Sequence, residues 1–173
     1  MDLTITTIRE LFPIIFPKHL RIPAKELRKR LRNDYYLIHT LEDMQGFALI
    51  CNYGTIYHLD YLGVNPNVQG KGIGKQLLLL LTKTYKKISL ECEESLVPYY
   101  TKFGFKDTKL DYRWNNHKLH FMVLNMSSIE IFSQLTFLQK IVKNNIAIIR
   151  KIFFSKNYEL IYLWFDKHYT WND

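Results

Sequence analysis

Gln69-Gly70-Lys71-Gly72-Ile73-Gly74, entered through Val64-Asn65-Pro66 and followed by the leucine run Leu77 to Leu81, is the stretch whose reading decides the fold. Closely spaced glycines let a backbone come near a ligand and turn successive N–H groups the same way. A helix beginning near Ile73 adds the positive end of its dipole to the same spot. The segment therefore reads as a cradle for a pyrophosphate. Two commoner phosphate loops do not fit it. A P-loop requires Ser or Thr after its Gly-Lys, where this chain has Gln76 after Gly74-Lys75. A dinucleotide fingerprint places two residues between its second and third glycines, where this chain has one.

Upstream of the loop, apolar or β-branched runs at Tyr35 to Leu41, Phe47 to Asn52 and Ile56 to Val64 predict antiparallel strands. Glu42-Asp43-Met44-Gln45-Gly46 and Asn52-Tyr53-Gly54 are the turns between them. Downstream the pattern predicts a helix through about Tyr85, a strand Ile88 to Cys92 and a helix Ser95 to Phe103 stopped by Gly104. Strands near Phe105 to Arg113 and Lys118 to Asn125 follow. The N-terminal part holds at most one strand. Thr7-x-x-Glu10 reads there as the capping box of a short helix limited by Pro13 and Pro17, and a second helix, about Ala24 to Leu31, begins after Pro23. From Ser127-x-x-Glu130 a helical tail is expected through Ile131, Leu135, Leu138, Val142, Ile146, Ile149 and Ile152, ending in the aromatic-rich stretch Tyr158 to Trp171. The expected division is one domain over residues 1–126 and a helical extension over 127–173.

At 173 residues and 47% hydrophobic, the chain can bury one good core and is short for two enzymatic domains. Asp2, Arg9, Glu10 and Pro13 interrupt any secretory signal, and no apolar run approaches the roughly 20 residues that span a bilayer, so a soluble, cytoplasmic protein is expected. Cys51 and Cys92 lie in strand-like apolar surroundings and read as reduced core thiols. No ligand cluster points to a metal. The formal charge of +8 suits a polyanionic cofactor as well as nucleic acid or an anionic membrane surface. The densest basic stretch, Lys25 to Arg32, sets Leu27 and Leu31 one helical turn apart, as in a solvated helix lying on a core. Nucleic acid and membrane are therefore not the expected partners. The tail, with Lys140, Lys143, Arg150 and Lys151 beside its apolar positions, is expected to pack on the domain or form a homodimer.

The Gln-x-x-Gly-x-Gly loop entered through Val-x-Pro resembles the coenzyme A loop of the GNAT superfamily of acetyl-CoA-dependent N-acetyltransferases. A second match, Tyr99-Tyr100-Thr101-Lys102-Phe103-Gly104-Phe105, resembles the family's aromatic-Tyr-x-x-aromatic-Gly-Phe helix end at the expected distance downstream. Within the first 125 residues or so that this covers, Cys92-Glu93-Glu94-Ser95-Leu96-Val97-Pro98-Tyr99-Tyr100 looks most like the serotonin (arylalkylamine) N-acetyltransferase branch. The resemblance implies an α/β (α+β) fold: a mixed, mostly antiparallel sheet with helices on both faces, plus the helical C-terminal extension. It also implies acetyl-CoA as cosubstrate, with the pyrophosphate on Gln69, Gly70, Lys71, Gly72, Ile73, Gly74 and Lys75. The backbone near Leu62 would then polarise the thioester oxygen, and Val64 would hold the pantetheine arm.

Acetyl transfer to an amine needs a group that removes a proton, because a lysine-like amine has a pKa of about 10.4, and a group that protonates the departing thiolate. In a regular strand His58, Asp60, Leu62 and Val64 share one side. Counting back from Gln69, the resemblance sets His58 and Asp60 at the two positions where serotonin N-acetyltransferases carry a pair of proton-removing histidines, while other GNATs place a glutamate at the His58 position. Both are the base candidates, although either also reads as a hydrogen-bonded structural residue. Gly63 fits a bulge or a close ligand approach. Tyr100, four residues before Gly104, matches the family's general acid; the plainer reading is a core tyrosine with its hydroxyl tied to backbone, and Tyr99 reads as packing. Cys92 as an acetyl-accepting nucleophile lacks an activating neighbour in sequence. Asp60, Glu91, Glu93 and Glu94 are placed to favour a cationic amine, with Tyr57, Tyr61, Tyr112 or Trp114 as aromatic walls. The function implied is acetyl transfer from acetyl-CoA to a primary amine of a small molecule, an arylalkylamine or polyamine, by direct attack. A protein lysine or N-terminal acetyltransferase is the alternative within the class. A basic nucleic-acid-binding protein or a non-catalytic coenzyme A-binding module are the alternatives outside it.

Overall fold

In the computed structural model, residues 3–41, 44–114, 117–131 and 134 are described, with only the backbone for residues 3, 111–114 and 117. Two helices come first, α1 (Leu3–Ile15) and α2 (Ala24–Arg30), followed by the strands β1 (Tyr36–Leu41), β2 (Gly46–Asn52) and β3 (Tyr57–Val64). The glycine loop then leads into α3 (Ile73–Thr84), β4 (Ile88–Cys92), α4 (Val97–Thr101), β5 (Lys106–Trp114) and β6 (His117–Leu124). The strands form one sheet in the order β1-β2-β3-β4-β6-β5. All neighbours are antiparallel except β3 and β4, which run parallel. Two connections must cross over: β3 to its parallel neighbour β4, through α3, and β4 to β5, past the intervening β6, through α4.

β2 explains why the core has two halves. Ala48 and Ile50 join a cluster with Leu78 and Leu81 of α3, Tyr100 of α4 and Phe105. Phe47 and Leu49 point the other way, into a cluster with Ile8 and Phe12 of α1 and Leu27 and Leu31 of α2. A strand covered on both faces reads as an unbroken apolar run, as Gly46 to Cys51 does. Gly46 is needed where β2 passes beneath α3: a Cβ there would stand 2.6 Å from Ile73 Cγ2.

Two expectations at the N-terminus are corrected, while the limit of at most one strand there holds. No strand precedes β1 among the described residues, and α1 begins at Leu3, so Thr7 and Glu10 lie inside the helix instead of capping it. Pro13 also lies inside α1, in its last turn, where it forfeits only the bond to the Arg9 carbonyl, while Phe16 N–H still reaches Phe12 O at 3.1 Å. The burial of Ile8 and Phe12 against the sheet outweighs that loss. The helix expected over Ser95 to Phe103 is a 3-10 turn at Glu94–Leu96 followed by the five residues of α4, with Pro98 in the first turn. At the other end, the Ser127 N–H and hydroxyl both bind Glu130 Oε2 at 2.9 Å, and Lys87 Nζ pairs with the same carboxylate, so the capping box is present. The remainder of the expected helical tail, beyond residue 134, lies outside the described residues.

Candidate active site

The site begins with a parallel pair that stops early. β3 and β4 are in register only at Tyr57↔Ile88, His58↔Ser89 and Leu59↔Leu90, although β3 continues to Val64 and β4 to Cys92. Beyond Leu59 the two strands part, which leaves a cleft through the sheet and an unpaired edge on each side of it. The cause lies on the opposite edge of β3. Leu49 of β2 faces Tyr61 while Ile50 faces Leu59, so Asp60 is the extra residue of a bulge. The bulge expected at Gly63 is thus at Asp60. Gly63 instead admits the close approach of α1, since a Cβ on it would lie 3.0 Å from Ile15 and from the Phe16 ring.

The bulge also breaks the alternation. Leu62 packs with the α3–α4 cluster, and Val64 Cγ2 lies 3.5 Å from where a Cβ on Gly74 would sit. His58 and Asp60 reach side chains on the α1–α2 side. The four residues expected on one face are therefore split, the pair expected to bind the coenzyme from the pair expected to handle the proton. The two faces of the sheet separate them.

On the α3 side, Gly70 and Gly72 have φ of +82° and +83°, the left-handed region that favours glycine, and a Cβ on either would meet nothing within 4 Å. The first bond into α3 runs from Gln76 N–H to Gly72 O at 3.0 Å, so the donors before it have no helical partner. No hydrogen bond within the described residues takes up the N–H of Gly70, Lys71 or Gly72. Gln69 steadies the loop by donating its side-chain amide to Val64 O at 3.2 Å. These free donors at a helix N-terminus fit the pyrophosphate of coenzyme A. Tyr99, expected only to pack, lays its hydroxyl 3.4 Å from the position of a Gly74 Cβ, against this loop. Tyr100 is buried edge-on to Tyr99 and Phe105, and its hydroxyl makes no hydrogen bond within the described residues. Burial, with Cys92 and Tyr99 adding to it, raises its pKa well above that of an ordinary phenol, which keeps the proton on it.

On the α1–α2 side a chain of charged groups runs through the sheet. His58 Nδ1 meets Ser89 Oγ at 2.7 Å, and His58 Nε2 lies 2.7 Å from Glu91 Oε2 and 3.8 Å from Asp60 Oδ1. The ring stacks on Phe121, with 12° between the planes. Asp60 Oδ2 accepts from Arg30 Nη1 at 2.5 Å, and Arg30 Nε reaches Glu26 at 3.3 Å. Burial alone would lower the His58 pKa, but the carboxylates of Glu91 and then Asp60 hold it above the ordinary imidazole value. Burial raises Asp60, against the opposing pull of His58 and Arg30.

Of the acidic group expected to gather here, Asp60 and Glu91 converge on His58. Glu93 pairs instead with His19 of the α1–α2 connection at 3.1 Å, and Glu94 is exposed. Tyr61 stands among Phe12 and Phe16 on this face, its hydroxyl donating to Leu20 O, whereas Tyr57 stacks on Tyr85 on the other and does not wall the amine side. The side chains of Tyr112 and Trp114 lie outside the described residues. Cys92 is buried, and its thiol is pushed up to about 12 chiefly by that burial, which makes it a poor nucleophile. A separate cavity of about 730 Å³ lies beyond Arg30, between α2 and the ends of β1 and β2. Among the described residues no group of three His, Cys, Asp or Glu side chains is placed to hold a metal ion, and no helix is long and apolar enough to cross a membrane.

Sequence reasoning missed Arg30, which was grouped with the solvated lysines of its helix, and the contact of Glu91 with His58. Signals for both were present. Arg30 stands three residues after Leu27 and beside Leu31, at the margin of the buried face. In β4, Ser89 and Glu91 interrupt Ile88, Leu90 and Cys92 with period two, which marks a polar face on an interior strand.

A parallel pair that splays beside a glycine loop is the architecture of a coenzyme A-dependent acyltransferase. The sequence profile of the acetyltransferase (GNAT) domain matches residues 16–126, and the chain belongs to that family. An uncharacterized protein of Dictyostelium discoideum is 33% identical over 81 residues, which is 40% of this chain and only 18% of that protein's length. Among solved structures, a GNAT-family acetyltransferase from Bacteroides thetaiotaomicron superposes with a TM-score of 0.69 at 21% identity, over 79% of this chain and 90% of that one. A ribosomal-protein alanine N-acetyltransferase from Escherichia coli gives 0.57 at 19% identity, over 74% and 93%. The NAA60 protein of Arabidopsis thaliana, solved with a bisubstrate analogue, gives 0.57 at 14%, over 73% and 95%. At these identities the likeness is one of fold.

Proposed function

We propose that the protein is an acetyl-CoA-dependent N-acetyltransferase that moves the acetyl group directly to a primary amine of a small molecule. The observation that carries this reading is the two-faced cleft. Free backbone donors and an unbonded tyrosine hydroxyl lie on one side of the parted strands, and a buried carboxylate-histidine chain lies on the other.

Acetyl-CoA supplies the activated thioester. Gln69, Gly70, Lys71, Gly72, Ile73, Gly74 and Lys75 hold its pyrophosphate end through backbone donors, Val64 guides the pantetheine arm, and the backbone at Leu62 faces the carbonyl. Tyr100 holds the proton that a departing thiolate needs. The group formed by His58, Asp60 and Glu91 attracts an ammonium and takes its proton. Direct transfer is supported by the burial of both thiols, Cys92 in β4 and Cys51 opposite His58 in β2, which raises the pKa of each and makes it a poor nucleophile.

The serotonin-type stretch from Cys92 to Tyr100 and the carboxylates on the acceptor side support an arylalkylamine or a polyamine as acceptor. A protein amine is the alternative, and it uses the same chemistry. Thiol release from acetyl-CoA, measured across phenethylamine, spermidine, lysine peptides and N-terminal peptides, tests the reading. Turnover confined to peptides would replace the small amine with a protein substrate. No turnover with any amine, in a chain that coenzyme A stabilises thermally, would leave a binding module.

A further inference from the structure

We infer that Glu91 is the group that takes the proton from the incoming amine, and that His58, Asp60 and Arg30 are positioning residues that hold its carboxylate at the opening of the cleft. The inference rests on the acetyltransferase reading and narrows its proton acceptor to one atom group.

A base must present a lone pair to its substrate. His58 has none to present. Its two ring nitrogens are taken by Ser89 and Glu91, its ring is closed in by Phe121, and 4% of its side chain is exposed. Asp60 is turned inward as well, one oxygen on Arg30 and the other toward His58, with 8% exposed. Glu91 differs from both. One of its oxygens binds His58, the other has no hydrogen bond within the described residues, and 16% of the side chain remains open. Glu91 is also the first residue of β4 past the last β3–β4 pair, Leu59↔Leu90, so it stands where the strands begin to part.

The charged neighbours agree with this placing. From α2, Arg30 neutralises Asp60. From β3, His58 lies between the carboxylates of Glu91 and Asp60, which hold its pKa above the ordinary imidazole value. From β4 and the α1–α2 connection, Glu93 and His19 pair with each other, and from β6 the neighbour is the uncharged Phe121. The open carboxylate left to meet an ammonium is that of Glu91.

The step balances without a further reactant. An N–H bond of the ammonium breaks and its proton forms an O–H bond on Glu91. The freed nitrogen pair forms the N–C bond to the acetyl carbon, the C–S bond breaks with its pair staying on sulfur, and the Tyr100 proton passes to that sulfur. The acylated nitrogen then loses its second N–H proton to solvent, solvent reprotonates the Tyr100 oxygen, and Glu91 gives up its proton, so one proton is released per turnover. Base and acid act from opposite faces of the sheet, which lets the amine arrive and the thiol depart on different sides.

The test compares Glu91→Gln and His58→Gln with the parent, after thermal stabilisation by coenzyme A has shown each variant folded with its loop intact. With the best strongly basic acceptor of the panel, Glu91→Gln is expected to lose on the order of 10²-fold in kcat near neutral pH and to recover as pH rises toward the amine's pKa. With aminoacetonitrile, a weakly basic primary amine already uncharged at neutral pH, it is expected to match the parent. Nitrogen NMR of the imidazoles, recorded without cosubstrate, should find His58 protonated at neutral pH in the parent and titrating lower in Glu91→Gln. Parental kcat and pH profile in Glu91→Gln, with activity lost in His58→Gln, would place the base on His58 and overturn the inference while leaving the acetyltransferase reading intact. A parent inert toward every amine would overturn both.

Discussion

Tyr100 carries an unbonded hydroxyl on a fully packed ring, and this sets what removing that hydroxyl should do. The ring's contacts with Tyr99 and Phe105 survive in Tyr100→Phe, and no hydrogen bond within the described residues is broken. Stability should change little, while the proton that the proposed mechanism passes from Tyr100 to the thiolate is lost. Turnover is expected to fall by about 10²-fold or more, with affinity for acetyl-CoA nearly unchanged. Parental turnover across the pH range, with chemistry rate-limiting, would make water the donor. His58 yields a second expectation, this time for stability. Its pKa is raised in the folded chain above the ordinary 6.5, so the stabilisation from its carboxylate partners is fully present below pH 6.5 and fades as pH rises through the raised value. The melting-temperature advantage of the parent over His58→Gln should therefore be largest near pH 6 and shrink toward pH 9; growth with pH would contradict the charged pair. The identity of these residues was legible in the sequence. Their grouping was not, because a one-residue bulge decides which side chains share a face, and nothing in the composition around Asp60 announces a bulge.

Among the elements, the strands were the most legible, because burial on both faces gives β2 and β4 long apolar runs bounded by turns. α3 was equally plain: Ile73, Leu77, Leu78 and Leu81 repeat at helical spacing and are the residues it buries. α1 was misread because local cap and proline signals, each worth about 1–3 kcal/mol, were outweighed by the apolar face that the helix lays on β2 and β3. The glycine loop lends itself to a test that separates strain from recognition. At Gly72, φ of +83° makes any side chain strained by roughly 1–2 kcal/mol, yet the space above is open, so the folded chain offers no clash. Gly72→Ala should therefore lower the melting temperature modestly and abolish most of the thermal stabilisation given by coenzyme A, because the new methyl occupies the approach to the N–H groups. Full retention of that stabilisation would remove the loop from the binding site. A loss of folding without coenzyme A would show that the turn itself cannot bear the strain.

Across the whole molecule, the sheet divides labour between its faces, and the segment after β6 begins by fastening itself back to the domain. Ser127 and Glu130 close a capping box, Lys87 ties it to the turn before β4, and the buried Gln134 lines the cavity beside α2. Lys87, and after it Ser127, hold the partly exposed Glu130 carboxyl down to about 2, so its contribution is present above its ordinary pKa of 4.5 and is lost as pH falls toward 2. A cap is worth about 1 kcal/mol and a partly exposed ion pair roughly 0.2–1 kcal/mol. In a chain of this length each kcal/mol shifts the melting temperature by about 2–4 °C. Truncation after Asn125 is accordingly expected to lower the melting temperature by roughly 3–8 °C at neutral pH and to reduce solubility, with a smaller gap from the parent below pH 4.5. Light scattering on both chains tells whether the removed segment also joins two copies. An unchanged melting temperature and oligomeric state, together with liposome binding by the full chain alone, would mean that residues beyond Asn125 serve a membrane surface and that the contacts made by Ser127, Glu130 and Gln134 contribute nothing measurable to the fold.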